Sequence, residues 1–275
     1  MNRATIKKWV LGEFSLKRLV TSTLAIYLLV GIWAYFGSDR LIFLPRPASY
    51  DRTGEVLFLE TTDETAIAAL YLPNPQGQYT ILYSHGNAED IGDIRQRLHE
   101  LRDVGFSVFA YDYPGYGLSG GKPSVAGAYR AIDAAYNYLT ETLNVPPDRI
   151  VVYGRSVGSG PSTDLAAREP VAGLVIESGF TSTFRVVTRI PIYPFDRFPN
   201  IAKIRKVNAP ILILHGDRDR VIPFSHGQQL YAAAGEPKLS LWVPGAGHND
   251  LLQVAGDRYD RTLLELITIL SETKP

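Results

Sequence analysis

Apolar runs of strand length recur along this chain, near residues 79–84, 107–112, 150–154, 173–177, 210–215 and 239–243, with amphipathic helical stretches between them. This alternation constrains the fold most, because a strand that returns to its sheet through a helix lies parallel to its predecessor, with helices covering both sheet faces. Ile91, Ile94, Leu98 and Leu101 share one helical face. Val125, Ala128, Tyr129, Ile132, Ala135 and Leu139 share another, behind Ser124 as N-cap, and Leu263, Leu264, Ile267 and Leu270 a third. Ahead of the first of these runs, segments at 55–60 and 66–72 alternate in polarity around Asp63-Glu64 and read as an antiparallel hairpin. The expected class is therefore α/β, with a mostly parallel central sheet and helices on both faces. A chain of 275 residues that is 45% hydrophobic can bury one core of that size. The rhythm breaks between Ser178 and Asn208, a stretch rich in proline, aromatics and arginine that includes Ile190-Pro191-Ile192-Tyr193-Pro194-Phe195. It is expected to be a short lid-like insertion at about 178–208, with plain connecting helices as the other reading.

The N-terminal region obeys different rules. From Leu19 to Phe36 the sequence LVTSTLAIYLLVGIWAYF carries no charge, and as a helix it would span roughly 27 Å, close to the hydrocarbon thickness of a bilayer. Arg3, Lys7, Lys8, Lys17 and Arg18 precede it against the single acid Glu13. The reading is a basic segment at 1–18, a transmembrane anchor at 19–37 contacting lipid through residues 19–36, and a larger domain at 41–275. The charge bias puts the N-terminus in the cytoplasm and the larger domain on the opposite side. A cleaved signal peptide would need small residues before its cut site, which Tyr35-Phe36-Gly37 supplies poorly. No polar face runs through Leu24 to Gly37, as an in-plane amphipathic helix would require.

Lys+Arg 28 balances Asp+Glu 28, so no basic excess points to nucleic acid as a partner. Cysteine is absent, which excludes disulfides, thiolate chemistry and cysteine lipidation.

The pattern G-x-S-x-G occurs twice, at Gly154-Arg155-Ser156-Val157-Gly158 and at Gly117-Leu118-Ser119-Gly120-Gly121. Ser156 directly follows the apolar Ile150-Val151-Val152-Tyr153, and the residues after it, through Asp164 to Arg168, can form a helix. That strand–turn–helix setting gives the motif its meaning, because so tight a turn leaves no room for side chains at Gly154 and Gly158. Ser119 lies in a glycine-rich loop without a sharp continuation and reads as a loop serine. A serine hydroxyl needs a base. His99 falls on the polar side of a helix, His85 and His215 each end a strand as His-Gly, and His226 sits early in a helix. His248 stands in a glycine loop after the last strand, Val243-Pro244-Gly245-Ala246-Gly247-His248, where a parallel sheet places its ligands. The imidazole in turn needs a carboxylate, and Asp217 and Asp219 after the 210–215 strand are both candidates by spacing.

With these residues on the page, the chain from about Leu41 onward resembles the α/β-hydrolase superfamily. Ser84-His85-Gly86-Asn87-Ala88-Glu89-Asp90-Ile91-Gly92 and Asp112-Tyr113-Pro114-Gly115-Tyr116-Gly117 are similar to its membrane-anchored branch, which contains the bud-emergence proteins and the acyl-protein depalmitoylases. The resemblance implies nucleophile, acid and base in the order Ser156, Asp219, His248, since His215-Gly216-Asp217-Arg218-Asp219 followed by Val-Ile-Pro matches the family's acid loop. It also implies that the backbone N–H groups of Asn87 and Val157 receive the oxyanion, and it requires no metal or organic cofactor. Depalmitoylases of the branch attach through lipidated cysteines, whereas this chain's hydrophobic helix looks like the anchor of the bud-emergence relatives. The implied activity is that of a serine hydrolase acting on an ester or thioester of a small-molecule or acylated substrate; the anchor near lipid and the aromatic Tyr193-Pro194-Phe195, which could receive an acyl chain, lean the reading towards lipid-like substrates. A serine peptidase of the same fold and a non-catalytic membrane-tethered interaction domain are the alternatives.

Overall fold

In the computed structural model, residues 15–52 and 54–272 are described, and they divide into two compact units on either side of the Leu41–Ile42 junction. In the first unit the helix α1 (Leu16–Gly37) starts three residues before the uncharged run, and Ser15 caps it by accepting from the Arg18 N–H. Its 22 residues are long and apolar enough to cross a membrane, with a mean hydropathy of 1.8 over the most apolar window. The Thr21 hydroxyl returns its hydrogen bond to the Lys17 carbonyl, so it adds no unsatisfied group to the helix surface. Arg3, Lys7, Lys8 and Glu13 lie outside the described residues.

The second unit is built on an eight-stranded sheet in the order β1-β2-β4-β3-β5-β6-β7-β8. β1 (Val56–Glu60) and β2 (Ala66–Leu72) form the antiparallel hairpin, which turns through Glu64 at φ 60°. β2 then pairs antiparallel with β4 (Ser107–Tyr111). The rest of the sheet is parallel: β3 (Thr80–Ser84) lies between β4 and β5 (Ile150–Arg155), followed by β6 (Gly173–Glu177), β7 (Ile211–Gly216) and β8 (Lys238–Val243). The central strands are apolar at nearly every position because both faces are covered. Along β5, Ile150 and Val152 face one core while Val151 and Tyr153 face the other.

The helices divide accordingly. α3 (Val125–Asn137), α4 (Ser159–Ala166) and α6 (Ser225–Ala233) pack into one core, and α2 (Arg95–Val104), α7 (Leu251–Ala255) and α8 (Asp257–Glu272) into the other. Ser124 caps α3, its hydroxyl accepting from the Gly127 N–H. α2 begins later than its apolar period suggests. Ile91 and Ile94 are buried, but residues 91–94 are turns, because Asp90 and Asp93 capture the backbone N–H groups there in side-chain bonds that compete with a helix. The stretch at 178–208 contains α5 (Thr183–Thr188) and a short helical turn at Asn200–Lys203. Its two ends are tied by Asp196, which accepts from the Ser182 hydroxyl and from the N–H groups of Phe184 and Arg197.

Candidate active site

Ser156 sits where β5 ends, at φ 53°, a backbone region that costs a side-chain-bearing residue free energy and persists only where the surroundings impose it. What imposes it is crowding. A Cβ on Gly154 would lie 2.5 Å from the Gly158 carbonyl oxygen, and one on Gly158 would lie 2.1 Å from the Ser84 carbonyl oxygen of β3. The chain can therefore fold back this sharply only with glycine at both positions, and the turn presents the Ser156 side chain above the carboxyl edge of the sheet.

Two later loops at the same edge meet it. His248 Nε2 lies 2.9 Å from Ser156 Oγ, and His248 Nδ1 lies 2.7 Å from Asp219 Oδ2. An ionised carboxylate only accepts, so Nδ1 carries the proton and Nε2 is left to accept from the serine hydroxyl. The other Asp219 oxygen accepts from the Val221 and Ile222 N–H groups, both at 2.8 Å, which fixes the carboxylate plane. Burial alone would raise the Asp219 carboxyl, but the contacts with His215 and His248 and the hydrogen bond from the Ile222 N–H override it and hold Asp219 well below the usual carboxylate range. Of the two histidines, His215 is the lesser partner. Its Nε2 is 2.9 Å from the Ile222 carbonyl and 3.4 Å from Asp219, so its N–H belongs to the carbonyl.

The remaining candidates take structural positions. Asp217 accepts from the Gly245 N–H at 2.7 Å and braces the start of the His248 loop, which separates it from Asp219. His85 is fully buried, with Nδ1 2.7 Å from the Gly86 carbonyl. His226 is buried with Nδ1 accepting from the Thr181 N–H, and burial followed by the nearby His215 and Arg185 lowers its basicity, so it stays neutral. His99 is half-buried on α2 rather than fully solvated. Ser119 is held between two backbone groups, accepting from the Ala68 N–H and donating to the Asp112 carbonyl.

Asn87 lies on the loop after β3, and Val157 lies in the elbow itself. The Asn87 side chain is engaged in full: its Nδ2 donates to the Ile42 carbonyl at 2.7 Å, and its Oδ1 accepts from the N–H groups of Leu44 and Ala88 and from the Tyr116 hydroxyl. Residues 42–44 are thereby laced to the loop, and Phe43 is buried edge-on to Tyr113, Tyr116 and Phe198. Sequence reasoning placed no site residue in this stretch. It missed Arg155, Glu89 and Asn249 as well; an arginine in the variable position before the serine is the one signal that could have drawn attention to them.

A cavity of about 570 Å³ opens at Ser156, lined by Leu44, Arg46, Asn87, Ala88, Glu89, Asp93, Arg155, Val221, His248 and Asn249. The expected insertion supplies none of this lining. Tyr193 and Phe195 stack on each other with centroids 5.3 Å apart, and Phe195 packs edge-on against Phe184. The lining beside the serine comes from the 42–46 stretch and the loops after β3, β5, β7 and β8.

Comparison with known proteins adds an independent line. Residues 75–191 match the family described as serine aminopeptidase, S33. Alpha/beta hydrolase domain-containing protein 17B of Xenopus tropicalis is 42% identical over 201 residues, 72% of this chain and 70% of that protein. The Homo sapiens protein 17B is 41% identical over the same lengths. Among solved structures, the Pyrococcus furiosus esterase Pf2001 superposes with a TM-score of 0.69 at 19% identity, covering 82% of this chain and 98% of that one. Est1E of Butyrivibrio proteoclasticus, solved with ferulic acid bound, gives 0.64 at 18% identity over 77% and 99%. At these identities the structural likeness establishes the fold.

Proposed function

From a chain that belongs to the α/β-hydrolase family represented by alpha/beta hydrolase domain-containing protein 17B, and is a serine hydrolase, we propose an anchored enzyme that cleaves ester or thioester bonds through Ser156, His248 and Asp219. The observation that carries the reading is the relay from Ser156 Oγ to His248 Nε2 and from Nδ1 to Asp219, at 2.9 and 2.7 Å, beside an open cavity.

His248 accepts the Ser156 proton as Oγ attacks the substrate carbonyl, and Asp219 stabilises the imidazolium that forms. The N–H groups of Val157 and Asn87 receive the developing oxyanion, a contribution worth about 10² to 10³ in rate per donor. His248 then returns the proton to the leaving alcohol or thiol. Water, deprotonated by the same imidazole, releases the acyl group from Ser156. The cavity wall mixes charged groups with Leu44, Ala88 and Val221, which suits an acylated substrate whose polar part stays at the mouth.

α1 serves as the membrane anchor, with the N-terminus cytoplasmic and the hydrolase domain, residues 41–275, on the other side. Protease protection in sealed vesicles checks the orientation, and digestion of the domain from the cytoplasmic face would reverse it. For the chemistry, a fluorophosphonate probe is expected to label the wild type and not Ser156→Ala; labelling that survives the substitution removes Ser156 from the mechanism. A p-nitrophenyl ester series from acetyl to octanoyl, run beside aminoacyl p-nitroanilides, separates esterase from peptidase activity.

A further inference from the structure

The residue before the nucleophile does not point away from the chemistry. The Arg155 side chain is 12% exposed, and its guanidinium reaches both loops that flank Ser156. Nη1 donates to Glu89 at 2.7 Å (Oε1) and 2.9 Å (Oε2), and Nη2 donates to Asn249 Oδ1 at 2.8 Å, with the His248 carbonyl at 3.5 Å. Glu89 Oε1 also accepts from the Gly86 N–H at 2.5 Å, so the carboxylate is locked to the backbone immediately before Asn87. Behind it, Arg155 Nε faces Glu177 Oε1 at 3.5 Å, and Glu177 is paired on its far side with the buried Arg97. A Cβ on Gly86 would lie 2.6 Å from Glu89 Oε1 and 2.8 Å from Arg155 Nη1, so the glycine of this His-Gly turn makes room for the same contact.

We infer that Arg155 is a positioning residue, a planar clamp that holds the Asn87 loop and the His248 loop at a fixed spacing across Ser156. The inference deepens the triad reading and rests on it. Three loops from three non-adjacent chain segments must agree to within fractions of an ångström for one transition state, and backbone pairing ends with the strands that precede them. A guanidinium suits this task because its donors lie in one rigid plane and can serve Glu89 and Asn249 at once, whereas an ammonium offers a point charge on a flexible stem. Burial works against the charge on Arg155, but Glu89 and Glu177 outweigh it and keep the group firmly protonated.

The test uses the full chain in detergent or nanodiscs, with p-nitrophenyl butyrate as substrate. Turnover that depends on Ser156 in the wild type is established first; without it the triad reading fails and the clamp with it. Arg155→Lys keeps the charge and loses the fork, and is expected to lower kcat by about 10- to 100-fold with KM changed by less than about threefold. Glu89→Gln and Asn249→Ala are each expected to lower kcat in the wild-type background and to cost nothing further in the Arg155→Lys background, because both act through the guanidinium. Thermal melting of each variant separates positioning from folding, and Arg155→Lys carries the test if larger truncations do not fold. Full kcat in Arg155→Lys, losses that multiply in the double variants, or a fall that follows Tm alone would each overturn the inference.

Discussion

The chain contains two copies of one small motif, and the structure uses them in opposite ways. At Gly117 to Gly121 the glycines absorb the unusual backbone, with φ 49° at Gly117 and 78° at Gly121, and Ser119 spends its hydroxyl on two backbone groups. At Gly154 to Gly158 the strain falls on the serine, φ 53° at Ser156, while the glycines are needed for close approach of neighbouring backbone. The first arrangement saturates a hydroxyl and stabilises a loop. The second holds the hydroxyl up to an imidazole at a cost in backbone strain, an arrangement that suits the nucleophilic role proposed for Ser156. A motif thus becomes a site through where its strain is stored, which the residue pattern does not reveal.

The largest expected effect tests that contrast directly. Ser156→Ala should reduce turnover by as much as about 10⁶-fold if the triad acts as a unit, while Ser119→Ala should leave kcat unchanged; comparable losses in both would erase the distinction. Next, Asp219→Asn should cost about 10⁴-fold in kcat by favouring the wrong imidazole tautomer. Asp217→Asn should stay within about threefold, since it loses a single exposed loop bond. Steady-state kinetics on one ester decides between them.

Backbone crowding gives the third contrast. Gly158→Ala should destabilise the fold by about 3 kcal/mol or more, because the new methyl meets a β3 carbonyl that cannot move. Gly120→Ala, where the nearest atom is 3.6 Å away on an exposed turn, should fall within about 0.5 kcal/mol of wild type. Denaturant midpoints would settle it, and equal midpoints would show that the elbow tolerates bulk.

The smallest effect concerns the buried ions behind the elbow. Burial raises the Glu177 carboxyl, but Arg97 and Arg155 override that and hold it below its ordinary 4.5. A carboxylate depressed in the folded state contributes stability above its unfolded pKa and loses it as pH falls through the folded value. The Tm advantage of wild type over Glu177→Gln should therefore be full at neutral pH and shrink as the pH is lowered below about 4.5. A gap independent of pH would mean that Glu177 acts by packing alone.

Much of the frame could be read in advance because strand and helix signals are local. Ile150 to Tyr153 announces a buried strand, Gly154 to Gly158 a sharp turn and Ser124 a cap, each from a handful of consecutive residues. The ends of such segments were less legible: α2 starts at Arg95 because Asp90 and Asp93 divert the backbone donors ahead of it. The role of 178–208 is not legible for a related reason. Proline and aromatic content marks an insertion, but whether Tyr193 and Phe195 face a cavity or each other depends on what lies across from them.

By itself the sequence determined the alternating α/β architecture, the elbow at Ser156 and the uncharged helix at the N-terminus, all properties of neighbouring residues and their periodicity. Spacing left Asp217 and Asp219 open and only the family resemblance favoured Asp219; tertiary structure alone decided that Asp217 braces a loop, that Asn87 is laced to residues 42–44, and that Arg155 joins two loops from distant segments. The physical reason is reach. A period or a turn is encoded within a few bonds, whereas a hydrogen bond between residues 66 or 94 positions apart exists only after the sheet has brought the ends of its strands to one edge.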